Sequence, residues 1–243
     1  MTPTESFISH LIELRNRLLR IVIGWVVVFI ALFPFANKIY TLLATPMLTK
    51  LPAGAHMIAT AVTTPFFVPM KVAMMAAFLI SLPHTLYQAW AFVAPGLYPH
   101  EKKLMLPTIV AATLLFVTGM AFAYFAVFPV VFGFVVGSAP EGVAVMTDIS
   151  EYLDFVMTLF FAFGTAFEVP IAVVLATRFG WVTVAQLKEM RSYVIVGAFV
   201  VGAIFTPPDI ISQFMLAIPL WMLFEMGLLV SQLTTPKQNS IKI

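Results

Sequence analysis

Long apolar runs separated by short polar joints dominate the chain. Six runs stand out, roughly Ile21–Ala36, Pro69–Val93, Thr108–Val136, Ile149–Thr177, Tyr193–Phe205 and Phe214–Val230. A helix crossing a bilayer needs about 20 apolar residues, and these runs are too long and too continuous for barrel strands. The pattern predicts an all-α membrane protein with six transmembrane helices. The last two runs are shorter than the rest and predict local thinning of the bilayer. Before the first run, Phe7, Leu11, Leu14 and Leu18 recur at helical spacing, so residues 1–20 predict an amphipathic helix that enters the first span. Residues 37–68 form the longest connection. There Ile39, Leu42, Leu43 and Met47 predict a short surface helix, and Pro46, Pro52, Pro65 and Pro69 divide the segment, which reads as an outer cap. Residues 94–107 make a connecting loop and 234–243 a polar tail. With no internal repeat and no linker, residues 1–243 read as one integral membrane domain.

Pro34, Pro83, Pro129, Pro170 and Pro219 fall inside or at the ends of spans. Each removes a backbone donor and tends to kink its helix. Several kinked helices predict a concave bundle.

Composition agrees with this pattern. The 243 residues are 61% hydrophobic and only 10% charged, against about 25% charged in a soluble domain. The net charge of +2 is too small to suggest a nucleic-acid partner, but the distribution of charge is informative. Six spans put both termini on one side. That side carries Arg15, Arg17, Arg20, Lys102, Lys103, Arg178, Lys188, Arg191, Lys237 and Lys242, whereas the other carries Lys38, Lys50 and Lys71. The positive-inside rule makes the first side cytoplasmic. The outer loops hold Glu141, Asp148, Glu151, Asp154 and Asp209. The N-terminus, with Glu5, His10 and Glu13 ahead of the first run, does not read as a cleaved signal peptide.

Several chemistries lack their residues. There is no cysteine, no phosphate-binding glycine loop and no helical histidine pair; His10, His56, His84 and His100 are scattered. No catalytic serine or lysine arrangement is evident in the spans. The chain therefore predicts no enzyme activity, no cofactor and no metal. The fourteen methionines read as adaptable packing. Gly133 and Gly137 match the small-residue spacing of packed membrane helices.

Carboxylates are the remaining chemistry. Glu168 lies within the fourth run, where an acidic group costs roughly 2.5–3.5 kcal/mol on insertion scales and usually faces a partner or a polar cavity. Glu13 lies four residues before Arg17 and can pair with it. Pro95-Gly96 is a strong turn signal, and Pro99 starts the next helix with Glu101 in its first turn, where the helix dipole favours a carboxylate. Carboxylates bind guanidinium groups in planar pairs that lysine cannot reproduce. A site joining Glu13 and Glu101 would select a ligand carrying two arginines.

Four stretches together resemble the TatC family, the multi-spanning core of the twin-arginine protein translocase. They are His10-Leu11-Ile12-Glu13-Leu14-Arg15, Phe92-Val93-Ala94-Pro95-Gly96-Leu97 with Glu101, Glu168-Val169-Pro170, and Thr206-Pro207-Pro208-Asp209. The resemblance covers nearly the whole chain. It implies a glove-like bundle in the bacterial cytoplasmic membrane, both termini inside, that binds signal peptides of folded cargo and is driven by the proton-motive force. It implies single-span TatA- and TatB-like partners, contact with lipid and self-association in a larger complex. By the same resemblance, Glu13 and Glu101 contact the twin arginines, Phe92, Pro95, Gly96 and Leu97 shape that surface, and Arg15 supports it. Glu168 is then a polar group on the concave face, Pro46 and Asp209 belong to the outer cap, and Thr206 and Gln213 are polar contacts for partner helices. A different class of function is a proton-coupled small-molecule transporter using Glu168, with Glu225 as the other intramembrane carboxylate. A third is a scaffold subunit of a redox complex, which lacks the expected pair of intramembrane histidines.

Overall fold

The computed structural model describes residues 3–51, 56–93, 105–138, 146–205 and 210–234. These are almost wholly helical: α1 (Pro3–Leu32), α2 (Ala36–Leu48), α3 (Thr64–Val93), α4 (Met105–Phe122), α5 (Phe128–Gly137), α6 (Ile149–Phe167), α7 (Val169–Arg178), α8 (Val184–Glu189), α9 (Arg191–Phe205) and α10 (Ile210–Thr234). Five stretches are long and apolar enough to cross a membrane: Ile8–Leu48, Thr64–Phe92, Met105–Gly137, Ile149–Arg178 and Gln213–Leu233. A shorter apolar helix, Arg191–Phe205, is the sixth. The chain is thus a multi-span helical membrane protein, as the apolar runs predict.

Prolines mark the places where the helices change character. Pro34 lies in a 3₁₀ turn, Phe33–Phe35, that joins α1 to α2. Pro129 follows a π-helical turn, Ala123–Val127, that joins α4 to α5. In a regular helix the Pro129 ring would press on the carbonyl four residues back, and the wider turn relieves this. Pro46, Pro69, Pro83 and Pro219 sit inside continuous helices.

The helices fall into two compact units, with α4 and α6 each passing through both. The first comprises residues 1–114 and 139–157. Its centre is an antiparallel pair, α1 against α3. The Trp25 indole donates to the Met74 carbonyl at 3.0 Å, and the Gly24 position closely faces His84, whose Nε2 lies 3.2 Å from the Arg20 carbonyl. Helix α2 packs on α3. Of its apolar residues Leu43 and Met47 are buried and Leu42 is exposed, so the predicted surface helix has one inward face. The Tyr152 hydroxyl of α6 donates to the Leu43 carbonyl at 2.8 Å. A short parallel bridge joins Ile58 to Asp148. The Asp148 carboxylate secures it by accepting from the Thr60 amide and hydroxyl at 2.9 and 2.7 Å and from the Ser150 amide at 2.7 Å.

The second unit comprises residues 115–138 and 158–243. Helices α4 and α6 approach closely: a Cβ at Gly119 would lie 2.5 Å from the Phe163 carbonyl oxygen, and one at Gly164 would lie 2.6 Å from the Phe116 ring. Phe122, Phe163, Phe128 and Phe160 fill the adjoining layer. A Cβ at Gly227 would lie 2.9 Å from Pro170 Cα, which places α10 directly on α7. By contrast, Cβ atoms at Gly133 and Gly137 would meet nothing within 4 Å. The expected small-residue contact is therefore made by other glycines.

Helix α7 ends in a Schellman motif. Gly180 has φ +70°, its amide bonds to the Thr177 carbonyl at 3.2 Å, and the Trp181 amide bonds to the Ala176 carbonyl at 3.0 Å. Thr183 and Gln186 then form a capping box that starts α8. Leu187 of α8 buries itself with Val173, Phe224 and Leu228.

The last two spans differ from each other. At 15 residues α9 rises about 22 Å, less than the ~30 Å hydrocarbon core. At 25 residues α10 rises about 37 Å and is not a short span. The apolar run Phe214–Val230 underestimates it because Gln213 and Ser231 look like ends. Both are instead bonded to neighbouring helices: the Gln213 amide donates to the Phe199 carbonyl at 3.0 Å, and Ser231 pairs with Thr177 at 3.1 Å.

Two outcomes follow from these contacts. Gly119→Ala should lower stability by about 1–3 kcal/mol through overpacking against Phe163, read as a lower melting temperature in detergent. The Asp148 carboxyl is held below its ordinary 3.8, at about 2, by the Thr60 hydroxyl first and then by backbone amides. A depressed carboxyl stabilises fully above pH 3.8 and loses that effect as pH falls through about 2. The melting difference between wild type and Asp148→Ala should therefore be constant near neutrality and narrow between pH 4 and about 2.

Candidate functional site

Two groups of sequence-predicted residues occupy separate places, one in each unit. In the first, the register of α1 against α3 brings Glu13, Arg17 and His10 beside Gln88 and Phe92. Arg17 donates from Nη2 and Nε to the same Glu13 oxygen, Oε1, at 2.6 and 2.9 Å. Its Nη1 lies 3.4 Å from Gln88 Oε1. Glu13 and Arg17 share one face because they are four residues apart, and Glu precedes Arg in the favourable order. An exposed pair of this kind stabilises by only about 0.2–0.5 kcal/mol. Here the pair is partly buried, converges on one oxygen and is held from a second helix, which favours a persistent arrangement.

His10 stacks on Phe92 with ring centroids 4.3 Å apart, closing the same end of the helix pair. Arg15 makes no bond to Glu13 among the described residues. Its guanidinium lies 3.2 Å from the neighbouring Asn16 Oδ1, and its side chain borders an apolar groove with Leu11, Leu14, Leu18, Leu19 and Val22. Pro95, Gly96, Leu97 and Glu101 lie outside the described residues.

Gln88 is the residue that sequence reasoning missed. It is buried and belongs to a polar stripe, Ser81, Thr85 and Gln88, at i, i+4 and i+7 of an otherwise apolar helix. Ser81 and Thr85 turn their hydroxyls onto carbonyls of their own helix, Phe78 and Ser81. Gln88 instead reaches α1. The stripe was readable in the sequence, but its partner helix was not.

The second group centres on Glu168. The expected single helix over Ile149–Thr177 is interrupted at this residue. Glu168 is the N-cap of α7, with Pro170 in the first turn behind it. Its amide bonds to the Thr165 carbonyl at 3.1 Å, a tighter i−3 bond, and its carbonyl accepts from Ala172 at 3.0 Å. Pro170 has no N–H to offer the Ala166 carbonyl, which belongs to the residue two before Glu168. The carboxylate does not cap α7, and Glu168 is half-buried. It is in none of the three ion pairs among the described residues. From Glu168 to Arg178 the helix rises about 15 Å, half a hydrocarbon thickness.

Glu225, the other intramembrane carboxylate, has a different fate. Arg191 at the start of α9 donates to it at 2.7 Å. Gln213 is partly buried against Gly202 and donates to Phe199. Pro46 is buried inside α2. Thr206 and Asp209 lie outside the described residues.

Comparison with known proteins gives a consistent result. Residues 9–219 match the family described as TatC, Sec-independent protein translocase protein. The Haemophilus influenzae Sec-independent protein translocase protein TatC is 53% identical over 236 residues, covering 97% of this chain and 92% of that protein. The Escherichia coli K12 protein of the same name is 53% identical over 229 residues, covering 94% and 89%. A crystal structure of the twin-arginine translocase receptor TatC superposes with a TM-score of 0.77 at 38% identity, covering 92% of this chain and 98% of the other. A second, of the same receptor in DDM, gives 0.79 at 37% identity over 91% and 99%.

Proposed function

The chain belongs to the TatC family of Sec-independent protein translocase proteins, and from that premise we propose that it is the twin-arginine signal-peptide receptor and core scaffold of its translocase. Its place as a translocase component follows from the family. The receptor role rests on one observation above the rest: the Glu13 carboxylate already holds a guanidinium, through two donors, at the end of the α1–α3 pair. A site that binds one arginine side chain in this way has the chemistry to bind another.

In this reading Glu13 and Glu101 receive the two signal arginines. Phe92, with His10 stacked on it, and Pro95, Gly96 and Leu97 shape the apolar surface beside them, and Arg15 supports the site. Both termini are cytoplasmic, which puts Glu13 where cargo arrives. Transport draws on the proton-motive force and needs single-span TatA- and TatB-like subunits, which dock near α9 and α10 with Thr206 and Gln213 as polar contacts. The whole chain acts as one membrane domain, with Pro46 and Asp209 in its outer cap. Glu168, without an ion-pair partner among the described residues, is suited to receive a polar group from a docking helix, since such contacts replace an unsatisfied group in hydrocarbon. The proton-coupled transporter reading needs a second titratable carboxylate working with Glu168, and Glu225 is instead committed to Arg191.

Binding of an Arg-Arg signal peptide to the detergent-solubilised chain, with a Lys-Lys peptide as control, tests the receptor role. Selective binding is expected. Glu13→Ala or Glu101→Gln should weaken the Arg-Arg peptide by about ten- to a hundredfold, the range for a lost hydrogen bond to a charged group, and the Lys-Lys peptide far less. Equal losses would assign these glutamates to folding. Glu168→Ala should leave peptide affinity unchanged while transport or partner assembly fails, and loss of peptide binding itself would remove Glu168 from that role.

A further inference from the structure

The sequence offers Arg17 only as a helix-surface partner for Glu13, yet its guanidinium also reaches a second helix. Three of its nitrogens have acceptors, two on Glu13 Oε1 and one on Gln88 Oε1. No other described arginine bonds to Glu13: Arg15 bonds to Asn16, and Arg20 meets His84 through its carbonyl. The pair is also asymmetric. A guanidinium meets a carboxylate best as a fork, with two parallel N–H bonds to its two oxygens. Here both nitrogens converge on Oε1, and among the described residues Oε2 accepts no bond.

This arrangement has a consequence for any incoming arginine. Oε2 alone offers a single end-on contact. The full two-oxygen fork becomes accessible only when Arg17 yields Oε1. Arg17 can yield without being left unpaired, because Gln88 holds its Nη1 from the neighbouring helix and the side chain is partly open to solvent. Exchange of one guanidinium for another conserves both charge and the number of donors. Exchange of a guanidinium for a lysine ammonium does not, because a point charge on a flexible stem cannot present two coplanar N–H groups.

We propose that Arg17 is a resident competitor at the signal site: it occupies Glu13 in the empty receptor and must be displaced before a ligand guanidinium can take both carboxylate oxygens. This rests on the receptor reading above. Arg17 weakens every ligand that must displace it by the same factor, because breaking the resident pair costs the same whichever cation follows, and a cation that takes Oε2 alone escapes that cost. Arg17 therefore sets the affinity of the site, and Gln88 supports it as it moves aside.

The test measures affinities of Arg-Arg and Lys-Lys signal peptides for the full chain in detergent, in wild type, Arg17→Ala and Arg17→Lys, with melting curves for each. In Arg17→Ala the Arg-Arg peptide should bind about two- to fivefold more tightly, the range for releasing a partly exposed ion pair. The Lys-Lys peptide should gain no more than that, so that the ratio of the two affinities stays the same or grows. Arg17→Lys keeps the charge but loses the guanidinium fork, so it should compete less well and the Arg-Arg peptide should again bind more tightly than to wild type. If Arg17→Ala shows no cooperative melting, Arg17→Lys decides alone. A selective wild type whose Arg-Arg affinity is unchanged or falls in the folded variants, or whose ratio shrinks in them, overturns the competitor role and leaves the receptor standing. A wild type with no Arg-over-Lys selectivity fails the receptor reading and takes this inference with it.

Discussion

In hydrocarbon, a backbone or side-chain polar group has no water to turn to, and leaving it unpaired costs several kcal/mol. That constraint orders the irregular features of this chain. Where Pro34 and Pro129 interrupt the ladder, a 3₁₀ turn and a π turn take up the geometry. Where Pro170 does so, the helix stops and restarts around Glu168. Side chains obey the same rule. Thr177 with Ser231, Gln213 with Phe199 and Trp25 with Met74 are polar contacts between helices, each satisfying a donor that lipid would strand.

With little hydrophobic drive between helices in lipid, close approach must come from shape. Within the second unit Gly119, Gly164 and Gly227 admit a backbone or a ring where any Cβ would collide. These contacts set the registers of α4 on α6 and of α7 on α10. Within the first unit Gly24 does the same for α1 and α3, and that register brings Arg17 to Gln88 and His10 to Phe92. The geometry near Glu13 is therefore a product of helix packing a few turns away.

The acidic groups of the spans illustrate how environment separates like residues. Glu13 and Glu225 are each paired with an arginine. Glu168 sits at a helix restart, half-buried and outside the ion pairs of the described residues. A paired carboxylate can exchange partners. One without a partner attracts whatever polar group a neighbouring helix brings. In the proposed function the first behaviour serves recognition at Glu13 and the second serves assembly at Glu168.

Much of this was legible in the sequence, because apolar run length and proline position act locally. The helical spans, the short α9, the short helix carrying Leu43 and Met47 and the Glu13–Arg17 pair depend only on residues close in the chain. The misreadings share one cause. Gln213 and Ser231 looked like helix ends until α9 and α7 supplied their partners, so α10 was read too short. Gly133 and Gly137 had the packing spacing, but contact depends on which face meets another helix, and Gly119, Gly164 and Gly227 are the ones that do. Gln88 stood in a visible polar stripe, yet its meaning required α1 beside it. Run length, breakpoints and local pairs were set by the sequence. Which polar group meets which was decided by tertiary packing alone, because in a membrane interior a donor is satisfied by whatever helix lies against it.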